Sequence, residues 1–132
     1  MKTQWKQYEI EAKYTGKKCA PWKIGDQENW NHHKVTIRNL GKGTQTSFDF
    51  WASVSHPELT THYDLLNAVY CFLSDATAAA MQLDEFGKEF GYTSISECLR
   101  TYKACCSNLS KAKRVITEDL YDTLNELQEI AG

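Results

Sequence analysis

Tyr8-Glu9-Ile10-Glu11-Ala12-Lys13-Tyr14 alternates apolar and charged side chains without a break. A period of two places Tyr8, Ile10, Ala12 and Tyr14 on one face of a β-strand and the charges on the other. The same period returns in Lys34-Val35-Thr36-Ile37-Arg38-Asn39, with Val35 and Ile37 on one side and Thr36 and Arg38 opposite. Asn39-Leu40-Gly41-Lys42-Gly43-Thr44 is a turn in which two glycines supply positive φ at little cost, and residues 47–53 then alternate again with Phe48, Phe50 and Ala52 inward. These three segments predict an antiparallel meander with one apolar face. Residues 16–33 separate the first strand from the second and hold Pro21, Trp22, Gly25, Trp30, His32 and His33, too long and too aromatic for a tight turn. A structured loop is expected there.

Past His56-Pro57 the hydrophobic period changes to about 3.6, the spacing of a helix. Thr60 or Thr61 can cap a helix with Asp64 in its first turn, followed by Leu65, Leu66, Val69, Tyr70, Phe72 and Leu73 at helical intervals. Residues 84–90 form a short helix stopped by Gly91. Ser94-Ile95-Ser96-Glu97 has the form of a capping box and opens a helix to about Val115, with Ile95, Leu99, Tyr102, Cys106 and Leu109 as its inward stripe. Thr117 caps a last helix that turns Leu120, Leu124, Leu127 and Ile130 inward. The fold class is therefore α+β: an N-terminal three-stranded antiparallel sheet packed on one face by about four helices. One domain spans residues 1–132, with strands and the Trp-rich loop in 1–55 and helices in 56–132.

A chain of 132 residues, 42% apolar and 24% charged with only 2 Pro, is long enough to bury a core and too apolar to be disordered. Lys2, Lys6, Lys13, Lys17 and Lys18 punctuate the first twenty residues with no hydrophobic stretch behind them, so neither a membrane span nor a secretory signal is expected. Five cysteines, Cys19, Cys71, Cys98, Cys105 and Cys106, then read as free thiols in a reducing cytoplasm. The net charge of −2 hides a division. Residues 1–55 hold nine basic and five acidic side chains, whereas 56–132 hold six basic and twelve acidic. Such asymmetry marks either a surface for a charged partner or a well-solvated helical half.

The four histidines and five cysteines invite a metal reading that their spacing does not favour, because no Cys-x-x-Cys pair exists and adjacent Cys105 and Cys106 point about 100° apart on a helix. Nor does a nucleophile signature surround any cysteine. Gly41-Lys42-Gly43-Thr44 sits in a hairpin, without the strand-loop-helix setting of a phosphate cradle. No catalytic residue, metal or cofactor is expected. Two candidate binding surfaces remain. Asp84, Glu85 and Glu89 offer carboxylates on a helix surface, and Lys13, Lys17, Lys18, Lys23, Lys34, Arg38 and Lys42 are interleaved with Trp22, Trp30 and Trp51, a pattern suited to phosphates and stacked bases. By alternation Arg38 and Trp51 share the sheet face opposite Phe48, so Trp51 is either covered by the long loop or open to a partner.

Ser47-Phe48-Asp49-Phe50, Asp84-Glu85-Phe86-Gly87-Lys88-Glu89-Phe90-Gly91-Tyr92, Thr101-Tyr102-Lys103-Ala104-Cys105 and Glu126-Leu127-Gln128-Glu129-Ile130, in that order, resemble a family of small bacteriophage- and prophage-encoded proteins over residues 34–130. The resemblance implies action inside a bacterial cytoplasm and transfers no catalytic residue. By analogy, such an accessory protein binds a protein partner, and the expected task is that of an anti-CRISPR inhibitor: acidic helix residues occupying the basic channel of a host defence nuclease complex. The alternative is a single-stranded nucleic-acid-binding module using the basic, Trp-bearing side of the sheet.

Overall fold

The computed structural model describes residues 1–17, 30–52 and 58–131. Four strands, β1 (Lys2–Trp5), β2 (Tyr8–Tyr14), β3 (Asn31–Asn39) and β4 (Thr44–Ala52), form an antiparallel sheet in the order β1-β2-β3-β4. Four helices follow: α1 (His62–Ala78), α2 (Leu83–Glu89), α3 (Ile95–Val115) and α4 (Leu120–Ala131). The fold is α+β, and the sheet has four strands rather than three. β1 escapes the sequence pattern because Lys2-Thr3-Gln4-Trp5 is short and holds a single large apolar residue, and because its turn uses no glycine, asparagine or aspartate. Lys6 takes that turn at φ +53°. The left-handed region costs a non-glycine residue about 1–2 kcal/mol, and the Lys6 side chain is held by ion pairs to Glu118 (3.7 Å) and Glu126 and lies 5.0 Å from the centre of the Trp5 ring. The Glu126 hydrogen bond, followed by the nearby carboxylates, raises the Lys6 ammonium above its ordinary pKa.

Register fixes the inner face. Ile10 lies opposite Ile37, Ala12 opposite Val35 and Val35 opposite Phe48, so one side of the meander is an apolar sheet. Tyr8, Ile10, Val35, Ile37 and Phe48 are buried there under Leu65, Leu66, Val69, Phe72 and Leu73 of α1, with Val115 of α3 and Leu127 of α4 completing the cluster. Phe48 and Phe72 stack with ring centres 4.1 Å apart. Tyr14, at the end of β2, is exposed although its parity matches that of Ile10. Asn39 closes the β3–β4 hairpin from inside: its Oδ1 accepts from the N–H groups of Gly41 (3.1 Å) and Lys42 (3.2 Å), while its Nδ2 donates to the Val115 carbonyl at 3.0 Å. That last bond ties the hairpin to the C-terminal end of α3.

Helix starts obey local chemistry. Thr61 and Asp64 form a reciprocal capping box at α1, and Ser94 Oγ accepts from the Glu97 N–H at α3, with no return bond from the Glu97 carboxylate among those described. α4 begins later than its composition suggests. Asp119 rather than Thr117 serves its first turn, accepting from the Tyr121 N–H through Oδ1 and from the Thr123 N–H through its carbonyl. Ile130 is exposed on α4 and Leu120 and Leu124 are half-buried, so only Leu127 of the expected stripe is fully inside.

α3 corrects the sequence reading most clearly. Its buried side is Cys98, Cys105, Ala112 and Val115, with Tyr102 and Leu109 half-buried, so the inward stripe is turned by roughly 80° from the expected one. Ile95 is 80% exposed and Leu99 36%. The cause is α2, which closes on this part of α3 through Phe86: Ala78, Ala79, Phe86, Cys98 and Cys105 form a second apolar cluster. The Tyr102 hydroxyl donates to the carbonyls of Met81 (3.2 Å) and Ala79 (3.4 Å), fixing the α1–α2 connection to α3. No helix among the described residues is long and apolar enough to cross a membrane.

Candidate functional site

The outward sheet face follows from the same alternation that builds the core: Lys2 and Gln4, then Glu9, Glu11 and Lys13, then His32, Lys34, Thr36 and Arg38, then Gln45, Ser47, Asp49 and Trp51. Arg38 does not extend from it as a free cation. Its guanidinium spans Glu9 (3.0 Å) and Glu11 (3.2 Å) on the neighbouring strand, and that bond holds the Glu11 carboxyl below the usual carboxylate range. Trp51 lies against His32, ring centres 4.6 Å apart. Trp30 is half-buried just before β3, whereas Trp22 and Cys19 lie outside the described residues.

His32 organises this end of the sheet. Its Nε2 lies 2.8 Å from Asp49 Oδ1 and its Nδ1 2.6 Å from Thr15 Oγ1. A carboxylate only accepts, so Nε2 carries a hydrogen toward Asp49, and in the neutral ring Nδ1 accepts from the Thr15 hydroxyl. A hydroxyl, an imidazole and a carboxylate are thus linked in a row, an arrangement that sequence spacing of 17 residues on either side did not announce. The ring is buried beneath Trp51, and the Thr15 hydroxyl also lies 3.3 Å from the His32 carbonyl. The linkage therefore cross-ties the ends of β2, β3 and β4. His33, one residue on, faces the core, where burial pushes its imidazole below the ordinary pKa.

The second surface gathers Asp84, Glu85 and Glu89 on α2. All three are exposed, and no hydrogen bond or ion pair from a described residue reaches their carboxylates. Phe86 anchors the helix from below, in contact with the rings of Phe90, Tyr92 and Tyr102. Leu83, Ile95 and Leu99 lie beside Asp84, whereas Glu85 and Glu89 line a separate shallow groove with Met81 and Lys88, and Phe90, just past the end of α2, is 52% exposed. A cleft of about 350 Å³ runs between α2 and the first turn of α3, lined by Leu83, Asp84, Lys88, Tyr92, Ile95 and Leu99. The structure therefore separates the expected binding residues into two places, Arg38 and Trp51 on the sheet and the three carboxylates on α2, and sets beside Asp84 the exposed Ile95 and Leu99 that the sequence had placed on the inward stripe of α3.

Cys71, Cys98, Cys105 and Cys106 are free thiols. Burial raises Cys71 and pushes Cys105 up to about 11, with the Asp75 carboxylate adding to both. Nucleophilic attack requires thiolate, and these two remain protonated at neutral pH. No family model, curated protein or solved structure matches the chain.

Proposed function

We propose that the chain binds a protein partner through α2 and the start of α3, offering Asp84, Glu85 and Glu89 to basic residues while Leu83, Phe90, Ile95 and Leu99 supply apolar contact. The observation that carries this reading is the cleft at which the exposed Asp84 carboxylate meets the exposed side chains of Leu83, Ile95 and Leu99, with Glu85 and Glu89 on the neighbouring face of the same short helix. Monomeric proteins rarely leave contiguous apolar surface open without a partner for it, and charge beside it gives orientation and speed of encounter. A basic channel that normally holds nucleic acid is the partner surface such a rim complements, so the function proposed is non-enzymatic inhibition of a host defence nuclease complex, of anti-CRISPR type, within a bacterial cytoplasm. The competing role, single-stranded nucleic-acid binding by the Trp51 side of the sheet, has less support because Arg38 is already neutralised by Glu9 and Glu11.

The test uses purified RNA-guided nuclease complexes and the triple variant Asp84→Lys, Glu85→Lys, Glu89→Lys. Phe86 is kept, since α2 depends on it. Inhibition and affinity should fall at least tenfold with the melting temperature unchanged, and wild-type affinity should fall as salt rises, because exposed charge pairs are screened over about 10 Å at 0.1 M. Unchanged affinity in a folded triple variant, or retention of the wild type on single-stranded oligonucleotide at moderate salt, would move the interface to the sheet.

A further inference from the structure

A different cleft lies between β4 and the helices. Phe48, Asp49, Phe50 and Trp51 all line it, although successive strand residues point to opposite sides of a sheet. A cavity touching four consecutive residues must border the edge of the strand, and β4 pairs only with β3 among the described residues. Its other wall is Cys71 and Asp75 of α1, one turn apart, with Asn108 of α3. The volume is about 160 Å³. An apolar cavity of about 150 Å³ takes up benzene, so the occupant is of the order of six heavy atoms, too small for a nucleotide.

The chemistry of the walls narrows it further. Asp75 stands at the mouth, open to solvent on one side and crowded by apolar atoms on the other, and receives no hydrogen bond or ion pair from any described residue. A carboxylate pressed against apolar surface without a counter-charge is unfavourable, and a cation seated beside it removes the penalty. Aromatic faces attract cations as well. We propose that this cleft is a binding site for a primary alkylammonium group of four or five carbons, its stem against Phe48, Phe50 and Trp51 and its charge at Asp75, with Asn108 offering an amide oxygen. The group is a free small amine or the end of a lysine side chain, which have the same head and stem. The site shares no residue with the α2 rim, so it stands or falls separately from the partner reading.

Titration of the full chain with n-butylammonium chloride, followed by NMR, tests it. Saturable shifts should concentrate on Phe50, Trp51, Cys71, Asp75 and Asn108, and n-butanol, the neutral isostere, should bind at least tenfold more weakly. Burial lifts the Asp75 carboxyl to about 6. The titratable groups facing it are Cys71 on its own helix, Cys105 on α3 and Asp49 on β4, and both thiols stay protonated below neutrality. If only the ionised form binds, affinity should weaken about tenfold from pH 7.5 to pH 5, in proportion to the competent fraction. Asp75→Asn should bind at least tenfold more weakly at pH 7.5 and lose most of that pH dependence. Nα-acetyl-lysine amide, run beside its Nε-acetylated form, assigns the source: binding of the first alone identifies a lysine side chain, and exclusion of both a free amine. Equal binding of butanol and butylammonium, a flat pH profile in the wild type, or full affinity in folded Asp75→Asn would each overturn the proposal.

Discussion

Replacing Asn39 by alanine should be among the most damaging single changes outside the apolar core, and the structure lets the loss be worked out. The side chain is 1% exposed and makes three hydrogen bonds, two within the β3–β4 turn and one to the Val115 carbonyl. Each contributes about 1 kcal/mol net, and a buried carbonyl left without its donor costs about 1–3 kcal/mol. The Gly41 and Lys42 N–H groups sit in an exposed turn and can turn to water, which offsets part of the loss. The expected destabilisation is therefore about 2–4 kcal/mol, and at roughly 4 °C per kcal/mol for a chain of this size the melting temperature should fall by about 8–16 °C. Urea unfolding with an unchanged slope, together with calorimetry, measures it. Asn67→Ala, on the exposed side of α1, is the control and should stay within about 0.5 kcal/mol. A loss below about 1 kcal/mol for Asn39→Ala would show that the tie between hairpin and α3 carries no weight.

Asp75 should give the opposite sign. Its folded carboxyl titrates at about 6, above the unfolded value, so the native state loses stability as pH rises from about 4 to 6; Asp75→Asn should melt higher than wild type at pH 7 and about equally at pH 4. Glu11 is held low by Arg38, so its contribution is present at neutral pH and is lost as pH falls from the unfolded carboxyl pKa, about 4.3, through the lower folded value; Arg38→Ala should flatten that acid limb of the melting curve. Phe86→Ala removes a fully buried ring and should lose about 3–5 kcal/mol by denaturant titration, whereas Ile95→Ser, at an 80% exposed position, should leave stability within about 0.5 kcal/mol.

Strict alternation at Tyr8, Ile10, Ala12, Val35, Ile37 and Phe48 made the sheet readable, since period two with charges opposite has one physical solution. α1 was equally plain from its cap and its stripe. β1 was not, because its pairing with Tyr8, Glu9, Ile10 and Glu11 runs through a Lys6-Gln7 turn that carries no turn-forming residue, and because Lys6 is held there by Glu118 and Glu126, more than a hundred residues away. The stripe of α3 had the correct period and the wrong phase. Ile95-Leu99 and Cys98-Tyr102 are equally good local patterns, and the choice between them is made by Phe86 arriving from another helix. At the candidate sites, the exposure of Asp84, Glu85 and Glu89 followed from their helix position, but the presence of Ile95 and Leu99 beside Asp84 depended on that same choice of phase. The Thr15–His32–Asp49 linkage and the cleft at Asp75 join residues from separate strands and helices, where no spacing rule reaches.

The meander has a consequence for synthesis. Among the described residues every pairing in the sheet joins strands adjacent in sequence, so all four can associate once residue 52 has left the ribosome. The cover for their apolar side comes afterwards, from α1 and finally from Leu127 of α4. At about 5–20 residues per second, the 75 residues between Ala52 and Leu127 take roughly 4–15 s to make. During that interval the nascent chain displays Tyr8, Ile10, Val35, Ile37 and Phe48 to water beside an open strand edge, the combination that recruits chaperones or other nascent chains. Slowing elongation over α1 would lengthen this exposure, and the yield of native protein should fall with it.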